Sequence, residues 1–468
     1  MQSPRSLTEG SISHRLFEFA LPILLGNVLQ SLNGSVNSFW VGKYLGEAAL
    51  TATSNANTIL FLLLSAVFGA SMAATILIGQ HLGARRMQDA KRVVGTSASF
   101  SLLVSFGMSS LGFLFCKPLL AAMSTPPDAL ALAVIYMRVI FLALPFLCLV
   151  TFVMSVLRGA GDAKTPLYFM LLSVGLDIVL NPILIFGFGP VPGLGIMGSS
   201  LATLIAQAIS LTALLTYLYK RNHTLVLHGD ELKLLKMDFR IVGTLISKGI
   251  PMALQMVVMS FSMVLMITLV NRYGIHTAAA FGAAMQVWSY VQMPAFAINM
   301  AVSSMAAQNV GAQMWDRVAS IARVGLVFNL ILTGSLVMLI QVFAHFALGL
   351  FLPADSVALD VAVHMNRIAS WSFIFFALSI VFFGVVRATG AVVVPLLIMV
   401  FSLLLVRFPV AYFLLDTLQA DAIWWSFPIS SILSLVLAAL YYKYGKWREA
   451  RMISPAAASA AAAATPLE

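Results

Sequence analysis

The segment VLRGAGDAKTPL (156–167) returns 229 residues later as VVRATGAVVVPL (385–396), matching Arg158 with Arg387, Gly161 with Gly390 and Pro166 with Pro395. The echo extends outward on both sides. FALPILL (19–25) and SKGIPMALQ (247–255) set Pro22 against Pro251. GQHLGARRMQDAKRV (79–93) stands against AQNVGAQMWDRVASIARV (307–324), and Arg138 falls opposite Arg367. The chain reads as two copies of one unit, and the solvent of that unit decides what it is.

Of 468 residues, 60% are hydrophobic and only 9% charged, against about 25% charged in an ordinary soluble protein. That is too little charge to cover the two or three soluble domains such a length would form. Apolar stretches of membrane-spanning length recur instead, each able to cross a ~30 Å hydrocarbon core as a helix. The runs are continuous rather than alternating, which favours helices over a β-barrel. Twelve spans follow: 16–41, 49–80, 93–115, 130–157, 166–188, 195–219, 249–271, 277–309, 321–345, 360–386, 392–415 and 422–442. Six spans per copy is an even number, so both copies share one orientation and their pseudo-two-fold axis runs along the membrane normal. The expected fold is an all-α polytopic membrane protein, with twelve transmembrane helices in two six-helix lobes related by a parallel internal repeat. Its parts are an N-terminal stretch 1–15, an N-lobe 16–219, a charged linker loop 220–248, a C-lobe 249–442 and an Ala-rich tail 443–468.

The basic residues orient this map. Twenty-one of the 27 Lys and Arg fall at the N-terminus, in the tail or in loops on the same side. Only Lys43, Lys117 and Arg272 fall on the other side, which places both termini in the cytoplasm. The net charge of +10 is then the signature of cytoplasmic loops rather than of nucleic-acid binding. Cys116 and Cys148 offer neither a disulfide framework nor a metal spacing. No cleavable leader is expected, since the first apolar run has full helix length.

Few motifs carry chemistry. GLGIMG (193–198) fits a dinucleotide fingerprint, but it sits in a short turn with no acid following, so its glycines are read as turn glycines. GAGDAKT (159–165) lacks the P-loop spacing. No metal cluster, cofactor or enzymatic constellation is expected. Sixteen of the 17 acids lie in loops, tails or span ends. Asp177, in SVGLDIVLNPILIFGFG (173–189), lies about 11 residues into its span, with Asn181 one turn on. An ionised carboxylate at that depth costs about 2.5–3.5 kcal/mol even on the forgiving insertion scale, so such residues mark function. In the first span Asn27, Gln30, Asn33 and Asn37 fall within an arc of ~120°. They read as the wall of a wetted cleft between the lobes. Gln255 and the aromatic, Met-rich AAMQVWSYVQMPAF (283–296), with Met285, Gln286 and Trp288, are expected to line it too. Flexible Met and flat aromatics suit varied organic substrates. Pro22 and Pro182 permit helix bending. Arg138 and Arg367 match across the repeat, which favours a shared structural role, whereas Arg407 has Ile178 at its aligned position.

LPILLGNVLQSLNGSVNSFWVGKYLGEAAL (21–50), IGQHLGARRMQDAKR (78–92), VLRGAGDAKTPL and LNPILIFGFGPVPGLGIMGSSLATLIAQ (180–207) together resemble the multidrug and toxic compound extrusion (MATE) family, over nearly all of residues 10–450. The resemblance is closest to the bacterial damage-inducible-type branch. It implies a multi-pass, monomeric protein of a bacterial inner membrane, in contact with lipid. Such a protein exports organic, often cationic, amphipathic compounds by alternating access as H⁺, or Na⁺, enters. The branch usually carries an Asp where this chain has Asn37, a Tyr where it has Asn33, and Asn then Asp where it has Asp177 then Asn181. The other bacterial branch uses acids in spans 1, 7 and 10, and here the seventh has Gln255. One carboxylate among amides makes a poor Na⁺ cage but suits a single proton. The resemblance and the residues together therefore make Asp177, with Asn181 and Asn37, the expected cation-coupling site. The alternative is a flippase of the same superfamily for a lipid-linked or anionic amphipathic substrate, suggested by the deep arginines.

Overall fold

The computed structural model describes residues 7–452 apart from 124, 190, 191 and 354. The Ala-rich stretch 453–468 and residues 1–6 lie outside the described residues. Twelve long helices follow one another: α1 (Ile12–Leu45), α2 (Glu47–Gly83), α3 (Met87–Ala122), α4 (Pro127–Gly159), α5 (Lys164–Phe186), α6 (Ile196–Lys220), α7 (Phe239–Val270), α8 (Ile275–Gly311), α9 (Trp315–Val342), α10 (Val357–Ala369 and Ser372–Arg387), α11 (Val393–Phe413) and α12 (Asp421–Tyr444). Ten are long and apolar enough to cross a membrane, and α10, bent by 43° at its break, makes an eleventh. The twelfth, α8, is 37 residues long but carries Gln286, Asn299, Gln308 and Asn309, which its burial in a bundle permits.

Each predicted span lies on one helix, and most helices run a few residues further at both ends. The largest difference is α7, which begins at Phe239 rather than 249. The charged sequence there continues the helix beyond the apolar core, where lysine and arginine side chains reach water. The linker is correspondingly shorter. It contains a 3₁₀ helix, Gly229–Leu235, held to α3 by Lys91 Nζ donating to both Glu231 oxygens at 2.6 and 2.7 Å and by Ser99 donating to the Leu235 carbonyl.

Two compact units emerge, one of Leu25–Ile250 and one of Leu7–Leu24 with the chain from Pro251 onward. The divisions fall at or just after the repeat-matched prolines 22 and 251, inside helices α1 and α7 that continue through them. Within the first unit α2 packs on α3 and α4, α3 on α4, α4 on α6 and α5 on α6. The second unit repeats each of these pairings six helices later: α8 on α9 and α10, α9 on α10, α10 on α12 and α11 on α12.

The backbone repeats in finer detail. Gly46 and Gly274 precede α2 and α8 at φ 87°, ψ 179° and φ 89°, ψ 178°, a region open essentially to glycine alone. Arg85 and Gln313 are both at φ 59°, and Gly161 and Gly390 are at 88° and 102°. The turn after α2 is closed by bonds from the amides of 84, 85 and 86 to the carbonyls of 80, 82 and 81. The turn after α8 repeats that set 228 residues on, from 312, 313 and 314 to 308, 310 and 309. A parallel repeat is therefore built into the turns as well as the sequence.

Both units are inverted relative to a soluble protein. Leu103, Phe106, Leu111, Leu114 and Phe115 of α3 are exposed, whereas Thr96, Ser105 and Ser109 on the same helix are buried. Exposed apolar side chains suit a hydrocarbon solvent, and small polar ones let helices approach.

Candidate functional site

Asp177 is 2% exposed on α5 and Asn181 1%. The i, i+4 spacing stacks them on one face. The Asn181 amide donates to the Asp177 carbonyl at 3.2 Å and to its Oδ1 at 3.4 Å. From α6, the Thr203 hydroxyl donates to the same Oδ1 at 3.1 Å. One turn earlier on α6, Ser199 donates to Asn37 Oδ1 of α1 at 3.1 Å. Asn33 also stands beside the carboxylate, and Tyr136 of α4 lies within its electrostatic reach.

The glycines of GLGIMG make this meeting possible. A Cβ on Gly198 would stand 2.3 Å from the Leu184 carbonyl, and one on Gly193 2.8 Å from that of Phe186. Only glycine lets the start of α6 lie on the end of α5, so Thr203 can reach Asp177. The motif serves backbone contact here, as its turn reading anticipates.

The hydrogen-bond count leaves two gaps. Asp177 Oδ2 and Asn181 Oδ1 are both buried without a partner. Buried acceptors are almost always satisfied, so each gap asks for an explanation. Two acceptor oxygens one turn apart, with no donor between them, form a place for a proton or another small cation. Among the described residues no three His, Cys, Asp or Glu side chains converge, and the side chains that meet this carboxylate are the neutral Asn33, Asn181 and Thr203.

The remaining amides of α1 stand apart from this cluster: Asn27 is half-buried and Gln30 exposed. Pro22 and Pro182 lie inside unbroken helices. In the second unit Gln286 is half-buried and donates to the Tyr290 hydroxyl at 3.4 Å, and Met285 packs at the edge of the core. Trp288 is in that core, 1% exposed, with Nε1 donating to Asn366 Oδ1 at 2.9 Å. Its stripe, Phe281, Ala284, Trp288 and Val291, is the buried face of α8.

Gln255 accepts from Arg387, whose guanidinium also bonds Asn299 Oδ1 and the Phe383 carbonyl. Arg387, expected with the cytoplasmic basic residues, is thus a buried clasp between helices. Arg138 and Arg367 are both exposed, whereas Arg407 is buried.

The sequence reading missed Thr203, Ser199 and Tyr136, and also a groove of about 590 Å³ in the first unit. Ser38, Leu50, Thr53, Ser54, Asn57, Thr58 and Phe61 line it. With the 228-residue offset of Gly46 and Gly274, Asn57 and Thr58 correspond to Met285 and Gln286. A repeat-aware reading of α8 onto α2 would have found them.

Comparison with known proteins agrees with this architecture. The family model MatE matches residues 22–183 and 251–413, once in each half. The chain is 37% identical over 428 residues to "Probable multidrug resistance protein YoeA" of Bacillus subtilis, covering 91% of this chain and 92% of that one. It is 32% identical over 451 residues to "Probable multidrug resistance protein YpnP" of the same organism, with 96% and 98% covered. A solved structure described as MATE in the straight conformation superimposes with a TM-score of 0.87 at 20% identity, over 95% of this chain and 98% of that one.

Proposed function

The chain belongs to the MATE family of multidrug efflux transporters, and from that premise we propose that it is a proton-coupled antiporter in which Asp177 is the coupling residue. Organic amphipathic compounds leave as protons enter, by alternating access across the membrane that its helices span.

One observation carries this reading: the two unpartnered acceptors at Asp177 Oδ2 and Asn181 Oδ1. A proton on Oδ2 supplies the donor that the pair lacks. It also removes a charge from a station where one is costly. Loss of the proton leaves a buried carboxylate with only neutral partners, Thr203 and Asn181 on its other oxygen and Asn33 beside it, a state that favours opening to water. Uptake and release of one proton can therefore bias two arrangements of α5 against its neighbours. A difference of about 1.4 kcal/mol between those arrangements changes proton affinity tenfold. A sodium ion would have to be held by one carboxylate and neutral oxygens, a weaker set for a hard cation.

Proteoliposomes loaded with ethidium or tetraphenylphosphonium test the reading under an imposed proton gradient without sodium. Wild-type protein is expected to transport, and Asp177→Asn to lose gradient-driven transport while keeping its elution profile. Full-rate transport by Asp177→Asn under the proton gradient alone would remove the residue from the mechanism. Transport that requires sodium would replace the proton as the coupling ion.

A further inference from the structure

Within α11, residues Phe401–Val406 form a π-helical stretch that ends immediately before Arg407. A π turn holds one residue more than the α turn it replaces, and such turns recur at functional sites. Before it, Pro166 and Pro395 are 229 apart. After it the register advances to 230, which places Arg407 at the station of Asp177 rather than of Ile178. The next helix gives an independent check. Gly195 and Gln419, just before α6 and α12, adopt φ 57° and 51° with the same ψ of −133°. Their spacing of 224 pairs Thr203 with Phe427. Asp177 bonds Thr203, and the Arg407 guanidinium lies 4.6 Å from the centre of the Phe427 ring. An acid in one half and a base in the other thus hold corresponding stations, each against the corresponding residue of the following helix.

The surroundings of Arg407 differ from those of Arg138, Arg367 and Arg387. It is 8% exposed, so it does not snorkel as the exposed Arg138 and Arg367 do. Its Nε donates to Ser430 Oγ at 2.8 Å. Its two terminal nitrogens have no hydrogen-bond partner among the described residues, and no described carboxylate pairs with it. Neither nitrogen is among the sealed, unpartnered atoms, so each keeps some accessible surface. The guanidinium lies on the Phe427 ring, which is itself packed in the core against Phe281 and Trp288 at centroid distances of 6.4 and 5.9 Å. A buried charge without a counter-charge is expensive unless a partner supplies one. The free edge of a guanidinium fits a carboxylate, sulfonate or phosphate in bidentate fashion.

We propose that Arg407, held on the Phe427 ring, is a binding site in the second unit for the anionic group of an amphipathic organic acid. This goes beyond proton-coupled export and stands independently of it. The acid can be a soluble compound or a membrane lipid with an acidic headgroup, since both present the same chemistry to the guanidinium.

The test uses the full-length protein in phosphatidylcholine nanodiscs and compares 11-(dansylamino)undecanoic acid with its methyl ester by fluorescence titration. The acid is expected to bind about tenfold more tightly, the typical scale of one charge-assisted contact. Arg407→Gln should erase that preference and leave ester binding unchanged, with Arg407→Lys between the two. Nanodiscs containing phosphatidylglycerol separate the sources: weakened binding of the acid supports a lipid headgroup as occupant, and unchanged binding supports a soluble one. Equal affinities for acid and ester in the wild type would overturn the site, an outcome that needs no variant to fold. So would a preference that survives Arg407→Gln. Binding of the acid without gradient-driven export would leave this site standing and sink the coupling role of Asp177. Export without the preference would do the reverse.

Discussion

At the scale of single residues, Asp177 and Asn181 touch at 3.4 Å and share one turn and one buried face. Exchanging them moves the carboxylate about 6 Å along the helix without changing its face or the net charge of the pair. Asp177→Asn combined with Asn181→Asp is therefore expected to keep gradient-driven export at a reduced rate, where Asp177→Asn alone has none. A double variant as inactive as the single one, with its fold intact, would show that the bond from Thr203 fixes the carboxylate to one position. The acid itself was legible in the sequence, because one carboxylate deep in an apolar run is conspicuous. Thr203 and Ser199 were not, since hydroxyls are ordinary in membrane helices and only the glycine-mediated closeness of α5 and α6 gives these two a role. Trp288 was misleading for the opposite reason. Beside Met285 and Gln286 it resembles a binding wall, yet its spacing from Phe281, Ala284 and Val291 is that of the buried stripe on α8.

At the scale of elements, the linker shows how a charged segment can be more ordered than its composition suggests. A Cβ on Gly95 of α3 would stand 2.3 Å from the Leu234 carbonyl, so glycine lets the 3₁₀ helix lie directly on α3. The stretch before it tucks in Leu225, Val226 and Leu227, with His223 Nδ1 accepting from the Leu225 amide at 3.3 Å. Burial pushes the His223 imidazole below the usual histidine range, and Asp162 only partly offsets it. The unfolded segment therefore binds a proton more readily than the docked one. Its contribution to docking is complete above the ordinary histidine value of about 6.5 and is lost as pH falls through the lower, docked value. Amide exchange in residues 221–228, corrected for intrinsic rate, is expected to speed up between pH 7.5 and 5.5. His223→Gln should flatten that dependence, and an unchanged slope in the variant would assign it elsewhere. The apolar spans were readable by length alone. The π stretch in α11 was not, because no residue type announces an extra residue in a helical turn. The resulting one-residue slip hid the correspondence of Arg407 with Asp177.

At the scale of the whole molecule, the repeat is the organising fact, and it was visible first in twelve residues. Its physical cause is in the turns. Left-handed or glycine-only backbone recurs at 46 and 274, 85 and 313, 161 and 390, and 195 and 419. Chain direction therefore changes at matching points in both halves. Because each half has six helices, the turns after α2 and α8 must open on the same side of the membrane, as must the linker and the residues after α12. The first of these turns, the linker and the stretch after α12 are rich in Lys and Arg, whereas the connections after α1 and α3 and between α9 and α10 are not. By the positive-inside bias the basic set, and both termini with it, are expected in the cytoplasm. Single cysteines test this in a background where the buried Cys116 and Cys148 are replaced by alanine. Glu47→Cys, Lys117→Cys and Asp355→Cys should react with a membrane-impermeant maleimide on intact cells. Arg86→Cys, Lys233→Cys and Lys446→Cys should react only after permeabilisation. All six native side chains are exposed, so a silent position reports sidedness rather than burial. A mixed pattern within either set would mean that at least one helix between the probed positions does not cross the membrane, which would overturn the twelve-span map.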